Sequence, residues 1–138
     1  MIKSVIGATF RRMVLSGSKT LSANKDYVDS LNVFPVPDGD TGTNMSMTVA
    51  SAAREVSECS TNSMASLCAA FSKGALKGAR GNSGVITSQI VKGITDVLSA
   101  KEEFTAKDFA NALAKGTEVA YTAVTKPKEG TILSVVRA

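Results

Sequence analysis

Apolar residues recur at helical spacing along most of the chain. Val5, Ile6, Phe10, Met13 and Val14 share one face and predict an N-terminal helix to about Ser16 or beyond. Asn24 stands as N-cap of a second, short helix bearing Tyr27, Val28 and Leu31. That helix must stop before Pro35, because the residue preceding a proline disfavours helical dihedrals. Met45, Met47, Val49 and Ala50 open a further helix, to about Val56. From Cys59 to Ser63 the chain is polar and aperiodic, a loop, with Ser63 capping a helix through Leu67, Ala70, Phe71 and Leu76. Ile86, Ile90, Ile94, Val97 and Leu98 line the next helix. After a linker from Lys101 to Phe104, Thr105 and Asp108 form a capping-box pattern. The helix they open carries Phe109, Leu113, Gly116, Ala120 and Ala123 on one face. Pro127 and Gly130 interrupt, and Thr131 opens a last segment from Ile132 to Val136. There is no hairpin signal, alternating runs are scarce, and no repeat stands out. The pattern predicts an all-α chain of six or seven helices.

Composition narrows this reading. With 138 residues and a hydrophobic fraction of 43%, the chain can bury one core and is not of disordered composition. Aromatics are only 5%, while small residues are plentiful, which suits closely packed helices. The net charge of +4 is scattered rather than clustered, so nucleic-acid binding is not indicated. No apolar run reaches membrane-spanning length. No secretory signal is visible, since Lys3, Arg11 and Arg12 interrupt the N-terminal apolar residues, and Asn44-Met45-Ser46 therefore carries no weight as a glycosylation pattern. Cys59 and Cys68, with no histidine to join them, read as free thiols in a reduced cytoplasm. The absence of histidine removes Ser-His-Asp and Cys-His catalysis within this chain. Chemistry must rest on carboxylates, hydroxyls, amides, Lys, Arg and a borrowed metal.

Two stretches carry that chemistry. In Pro35-Val36-Pro37-Asp38-Gly39-Asp40-Thr41-Gly42-Thr43-Asn44, two carboxylates stand two residues apart in an extended approach, so both can aim at one point. They precede a helix start, where unpaired N–H groups attract anions. Oxygen-only ligands of this kind suit Mg²⁺, whose other positions go to water and phosphate oxygens. Pro-Asp-Gly equally suits a surface turn. An EF-hand fits poorly, because Thr43 falls on the required glycine and Val49 on the required glutamate. The second stretch is Gly78-Ala79-Arg80-Gly81-Asn82-Ser83-Gly84. It is neither a P-loop nor a Rossmann fingerprint. Its glycines let backbone approach a phosphate, Asn82 and Ser83 add donors, and Arg80 can neutralise transferred charge. A tight helix-helix corner would use the same glycines.

The run from Asn32 to Asn44, the run from Gly78 to Gly84, and Lys126-Pro127 with Gly130-Thr131-Ile132-Leu133 together resemble the N-terminal kinase domain of bacterial fatty-acid kinase, related to the nucleotide-binding L subunit of dihydroxyacetone kinase. The resemblance covers essentially the whole chain as one nucleotide-binding domain. It implies an antiparallel all-helical barrel holding ATP or ADP and two Mg²⁺ ions at one rim. By it, Asp38 and Asp40 are the metal ligands. Thr41, Thr43, Asn44, Gly81, Asn82 and Ser83 hold the nucleotide phosphates, and Thr131 lies near the nucleotide. The acceptor is a fatty-acid carboxylate presented by a separate fatty-acid-binding protein, giving acyl phosphate for phospholipid synthesis. Phosphotransfer to a small hydroxyketone and a non-catalytic nucleotide-binding role are the competing readings. The dihydroxyacetone-kinase relatives carry a further metal-binding Asp before the pair, where this chain has Asn32-Val33-Phe34, and Asn32 could substitute through its amide oxygen. The family's kinase domain is longer, so the chain is expected to be an incomplete domain that exposes an apolar face and self-associates, exchanges its terminal segment with a neighbour, or folds only marginally.

Overall fold

The computed structural model describes residues 3–124, 127 and 130–138. Six helices follow in order: α1 (Gly7–Ser30), α2 (Thr41–Glu58), α3 (Met64–Lys77), α4 (Gly81–Leu98), α5 (Ala106–Ala123) and α6 (Ile132–Arg137). The all-α reading holds, with one addition. Two two-residue strands, β1 (Val5–Ile6) and β2 (Glu103–Phe104), pair antiparallel with Val5 opposite Phe104. The expected linker from Lys101 to Phe104 thus ends in a strand, which ties the head of α1 to the start of α5.

The core gathers four of the five phenylalanines. Phe10 meets Phe71 and Phe104 edge-on at 5.9 and 5.8 Å between ring centres, and Phe104 stacks on Phe109 at 6.0 Å. Val14, Val56, Met64, Leu67, Ile94 and Leu98 complete it. Each such side chain withdrawn from water contributes about 1.5–3 kcal/mol. Elsewhere small residues let backbones touch. A Cβ built on Gly93 would lie 2.4 Å from the Gly116 Cα, so α4 and α5 meet backbone to backbone. Gly74 stands in the same relation to Ala52, at 2.6 Å from its Cα, which seats α3 on α2.

Helix boundaries follow local chemistry. Ser63 caps α3 by accepting from the Ser66 N–H, and Thr105 and Asp108 form the full capping box on α5. The polar loop from Cys59 to Ser63 is held by Arg11, whose guanidinium donates to the carbonyls of Val56, Cys59 and Thr61 and to the Asn62 side chain at 2.7–2.9 Å. One cation thereby ties the Val56 carbonyl, in the last turn of α2, to the loop carbonyls of Cys59 and Thr61. Asn24 is a correction. It caps nothing; its amide donates to the Thr20 carbonyl within one continuous helix, α1, that runs to Ser30. No helix among the described residues is long and apolar enough to cross a membrane.

Candidate functional site

The two stretches singled out above meet at one end of the bundle. α2 begins at Thr41 with Asp40 as N-cap, and α4 begins at Gly81 with Arg80 as N-cap. Neither cap residue spends its side chain on its own helix. The two helix starts touch. The Ser83 hydroxyl reaches the Thr41 carbonyl at 3.4 Å. Gly81 has φ +64°, and a Cβ there would fall 2.3 Å from the Asn44 amide nitrogen. That backbone favours glycine, and any side chain there would have to displace the Asn44 amide. One turn deeper, Thr48 is fully buried (0% exposed). Its hydroxyl donates to the Asn44 carbonyl at 2.8 Å and accepts the Arg80 backbone N–H at 3.2 Å. A Cβ on Gly84 would lie 2.4 Å from the same oxygen. Thr48 pins the two helices in register behind the site.

The third motif arrives at the same end. Gly130, at φ +81°, lies beside Phe34, and Thr131 caps α6 by accepting from the Leu133 N–H. Lys126 lies outside the described residues. Phe34 is the phenylalanine left out of the core, 55% exposed in the loop that leads to the carboxylates.

Asp38, Gly39 and Asp40 are all exposed, and Gly39 takes φ +67°, so a turn, not the extended segment expected from the sequence, joins the two acids. Among the described residues, neither carboxylate has a hydrogen-bonded or ion-paired side-chain partner. Two such oxygen donors fit a hard, hydrated divalent cation that keeps water and phosphate in its remaining positions. Among the described residues no group of three or more His, Cys, Asp or Glu could hold a metal by itself. Asn32 is otherwise engaged. Its amide oxygen accepts the Asp40 N–H at 3.1 Å and its amide nitrogen donates to the Val36 carbonyl at 3.1 Å, so it braces the loop.

Thr43 is engaged within the chain. Its backbone N–H donates to Asp29 at 2.9 Å and its hydroxyl donates to the same carboxylate. Both donors expected to serve phosphate are taken by an acid from the end of α1. Those two bonds, hydroxyl first, hold the Asp29 carboxyl below its ordinary range against a smaller opposing effect of burial, with the Gly42 N–H and Lys25 adding to the pull. Asp29 and Thr48 carry no local sequence signal, since each acts across a tertiary contact. On α4, Asn82 is exposed and Ser83 half-buried, and Gly81, Asn82 and Ser83 are the first-turn residues whose N–H groups have no intrahelical partner. The Arg80 residue is exposed beside them. An open groove between α3 and α4, lined by Cys68, Lys73, Leu76 and Asp96, shares no residue with this site.

The DAK2 domain family matches residues 35–138, from the first proline of the carboxylate loop through both helix starts and α6. The chain belongs to the DAK2 domain family. That family is associated with kinase function of the dihydroxyacetone-kinase type. The chain is 52% identical over 136 residues to protein YloV of Bacillus subtilis, covering 99% of this chain and 25% of that protein. It is 48% identical over 137 residues to the uncharacterized proteins SERP0792 of Staphylococcus epidermidis and SAUSA300_1119 of Staphylococcus aureus, with the same coverage. This DAK2 chain thus spans about a quarter of the length of the curated relatives it matches.

Proposed function

We propose that this chain is the nucleotide-binding domain of an ATP- and Mg²⁺-dependent phosphotransferase whose acceptor is a fatty-acid carboxylate presented by a separate fatty-acid-binding protein. One observation carries the reading. Among the described residues the carboxylates of Asp38 and Asp40 have no side-chain partner, and Asp40 caps one of two helix N-termini that touch through Ser83 and Thr41. A cation there would neutralise phosphate charge, and the two acids are the residues that would hold it. The Gly81-Asn82-Ser83 turn offers backbone and side-chain donors to the phosphates, and Arg80 adds a positive charge at the same rim. With little covalent work for the protein to do, catalysis is positioning and charge neutralisation.

The acceptor class rests on the resemblance to fatty-acid kinase, and the chemistry of the site is compatible with it. A hydroxyl acceptor must lose a proton, and the chain has no histidine to take it. Its two site carboxylates are the ones assigned to the metal. A fatty-acid carboxylate is already ionised near neutral pH and needs no base. Its oxygen bonds to the γ-phosphorus, the bond to the β,γ-bridging oxygen breaks, and ADP leaves with that electron pair. The reaction would take place in the cytoplasm.

The test is to incubate the intact protein with ATP, Mg²⁺ and a fatty-acid-loaded binding protein, and to trap acyl phosphate with hydroxylamine. An acyl hydroxamate that requires all three components is expected. Phosphorylation of dihydroxyacetone in its place would overturn the acceptor assignment while leaving phosphotransfer standing.

A further inference from the structure

We infer that Asp29 is a positioning residue of this site: an internal anion that occupies the α2 N-terminus and thereby fixes the Asp38-Gly39-Asp40 loop against the start of α4. The inference rests on the metal-nucleotide reading above.

A helix N-terminus draws an anion to its unpaired N–H groups. At α2 that anion comes from within the chain. Asp29, in the last turn of α1, accepts the Thr43 N–H at 2.9 Å and the Thr43 hydroxyl. Three residues on, Asn32 accepts the Asp40 N–H and donates to the Val36 carbonyl. The end of α1 therefore grips the carboxylate loop on both sides of Asp40. Between those grips the first turn of α2 is pressed onto α1. A Cβ on Gly42 would fall 2.2 Å from the Lys25 carbonyl oxygen, so this turn sits against the backbone of α1. Removing the Asp29 carboxylate frees the turn that carries Asp40 and the Thr41 carbonyl, which Ser83 reaches from α4.

The arrangement also divides labour between the two helix starts. Thr43's donors being spent on Asp29, phosphate is left to the Gly81-Asn82-Ser83 turn, where no carboxylate of the described residues competes.

The experiment measures the Mg²⁺ concentration that half-saturates ATP binding in the intact protein. Parent, Asp29→Ala, Asp29→Asn, Thr43→Val and the double variant Asp29→Ala/Thr43→Val are compared, each alongside its melting curve. Supporting partners behind metal ligands typically change metal affinity about 10–100-fold, and Asp29→Ala should raise the half-saturating Mg²⁺ by about tenfold. Asp29→Asn keeps one acceptor and should fall between parent and Asp29→Ala. The double variant should be no worse than Asp29→Ala, since both changes remove one contact. A lowered melting temperature with an unchanged Mg²⁺ midpoint would make Asp29 merely structural and overturn the inference. Loss of all Mg²⁺ dependence in Asp29→Asn would make it a ligand, which also overturns it. Where Asp29→Ala fails to fold, Thr43→Val reads the same contact from the other side, and an unchanged midpoint there counts against it. A parent whose ATP binding ignores Mg²⁺ would overturn the functional reading itself, and this inference with it.

Discussion

Thr48 joins the fold to the site, and replacing it by valine separates its hydroxyl from its shape. Thr48→Val keeps the branched side chain in a fully buried position. It removes the acceptor for the Arg80 N–H and the donor to the Asn44 carbonyl. A partly buried N–H left without a partner costs about 1–3 kcal/mol. The new methyl must also fit where the hydroxyl faces Gly84 across a gap too small for a Cβ. Together these cost about 2–3 kcal/mol, or about 8–12 °C in melting temperature for a chain of this length. Thr48→Ser keeps the hydroxyl and loses one buried methyl, about 1 kcal/mol. Denaturant titration of both variants, paired with ATP titration in Mg²⁺, reads the two effects. The valine variant should lose more stability and bind nucleotide more weakly, because the helix starts are no longer pinned. A valine variant as stable and as tight-binding as the serine variant would refute the pin.

Asn82→Ala combined with Ser83→Ala should weaken ATP binding while leaving the far-ultraviolet circular dichroism unchanged, each lost donor to a charged phosphate counting for about 1.5–3 kcal/mol; undiminished affinity would reduce the turn to a corner. Gly93→Ala should destabilise the chain by at least about 1–3 kcal/mol, since its methyl would meet Gly116 backbone rather than a movable side chain, and a wild-type denaturation midpoint would contradict the contact. Asp108, held below its ordinary range first by the Thr105 N–H, takes up a proton at lower pH folded than unfolded. Its contribution is therefore complete above the unfolded carboxylate range, near pH 4, and is lost as pH falls through the lower folded value. Asp108→Asn should flatten the acid limb of the stability curve, and an unaltered limb would show that the capping box carries no such linkage.

Much of this architecture was legible because it is local. The apolar spacing of α2 to α5, the Ser63 cap, the Thr105 capping box and the polar loop after Cys59 all lie within a few residues of their cause. The carboxylate loop and the glycine turn were legible for the same reason. What was not legible depends on distance. α1 reads as two helices because Asn24 offers a cap before Tyr27 and Val28, while the buried positions that mark its core face stop at Ser18. The strand pair joins Val5 to Phe104, and two residues a side leave no alternation to detect. Asp29 reaches Thr43 across a helix boundary, and Thr48 reaches Arg80 from another helix. Nothing in the local sequence distinguishes these residues from an exposed acid and a core threonine. Asn32 was identified by its place before the acids, but its part as a brace needed the loop's folded path.

The central claim is that Asp38 and Asp40 hold a cation through which the nucleotide binds. Without the cation, two carboxylates repel each other and the phosphates. Isothermal titration of the intact protein with ATP, in millimolar Mg²⁺ and in excess chelator, tests this most directly, with the Asp38→Asn/Asp40→Asn variant alongside. The account predicts tight binding only in Mg²⁺ and only with both acids present. Equal affinity in chelator and in Mg²⁺ would contradict it.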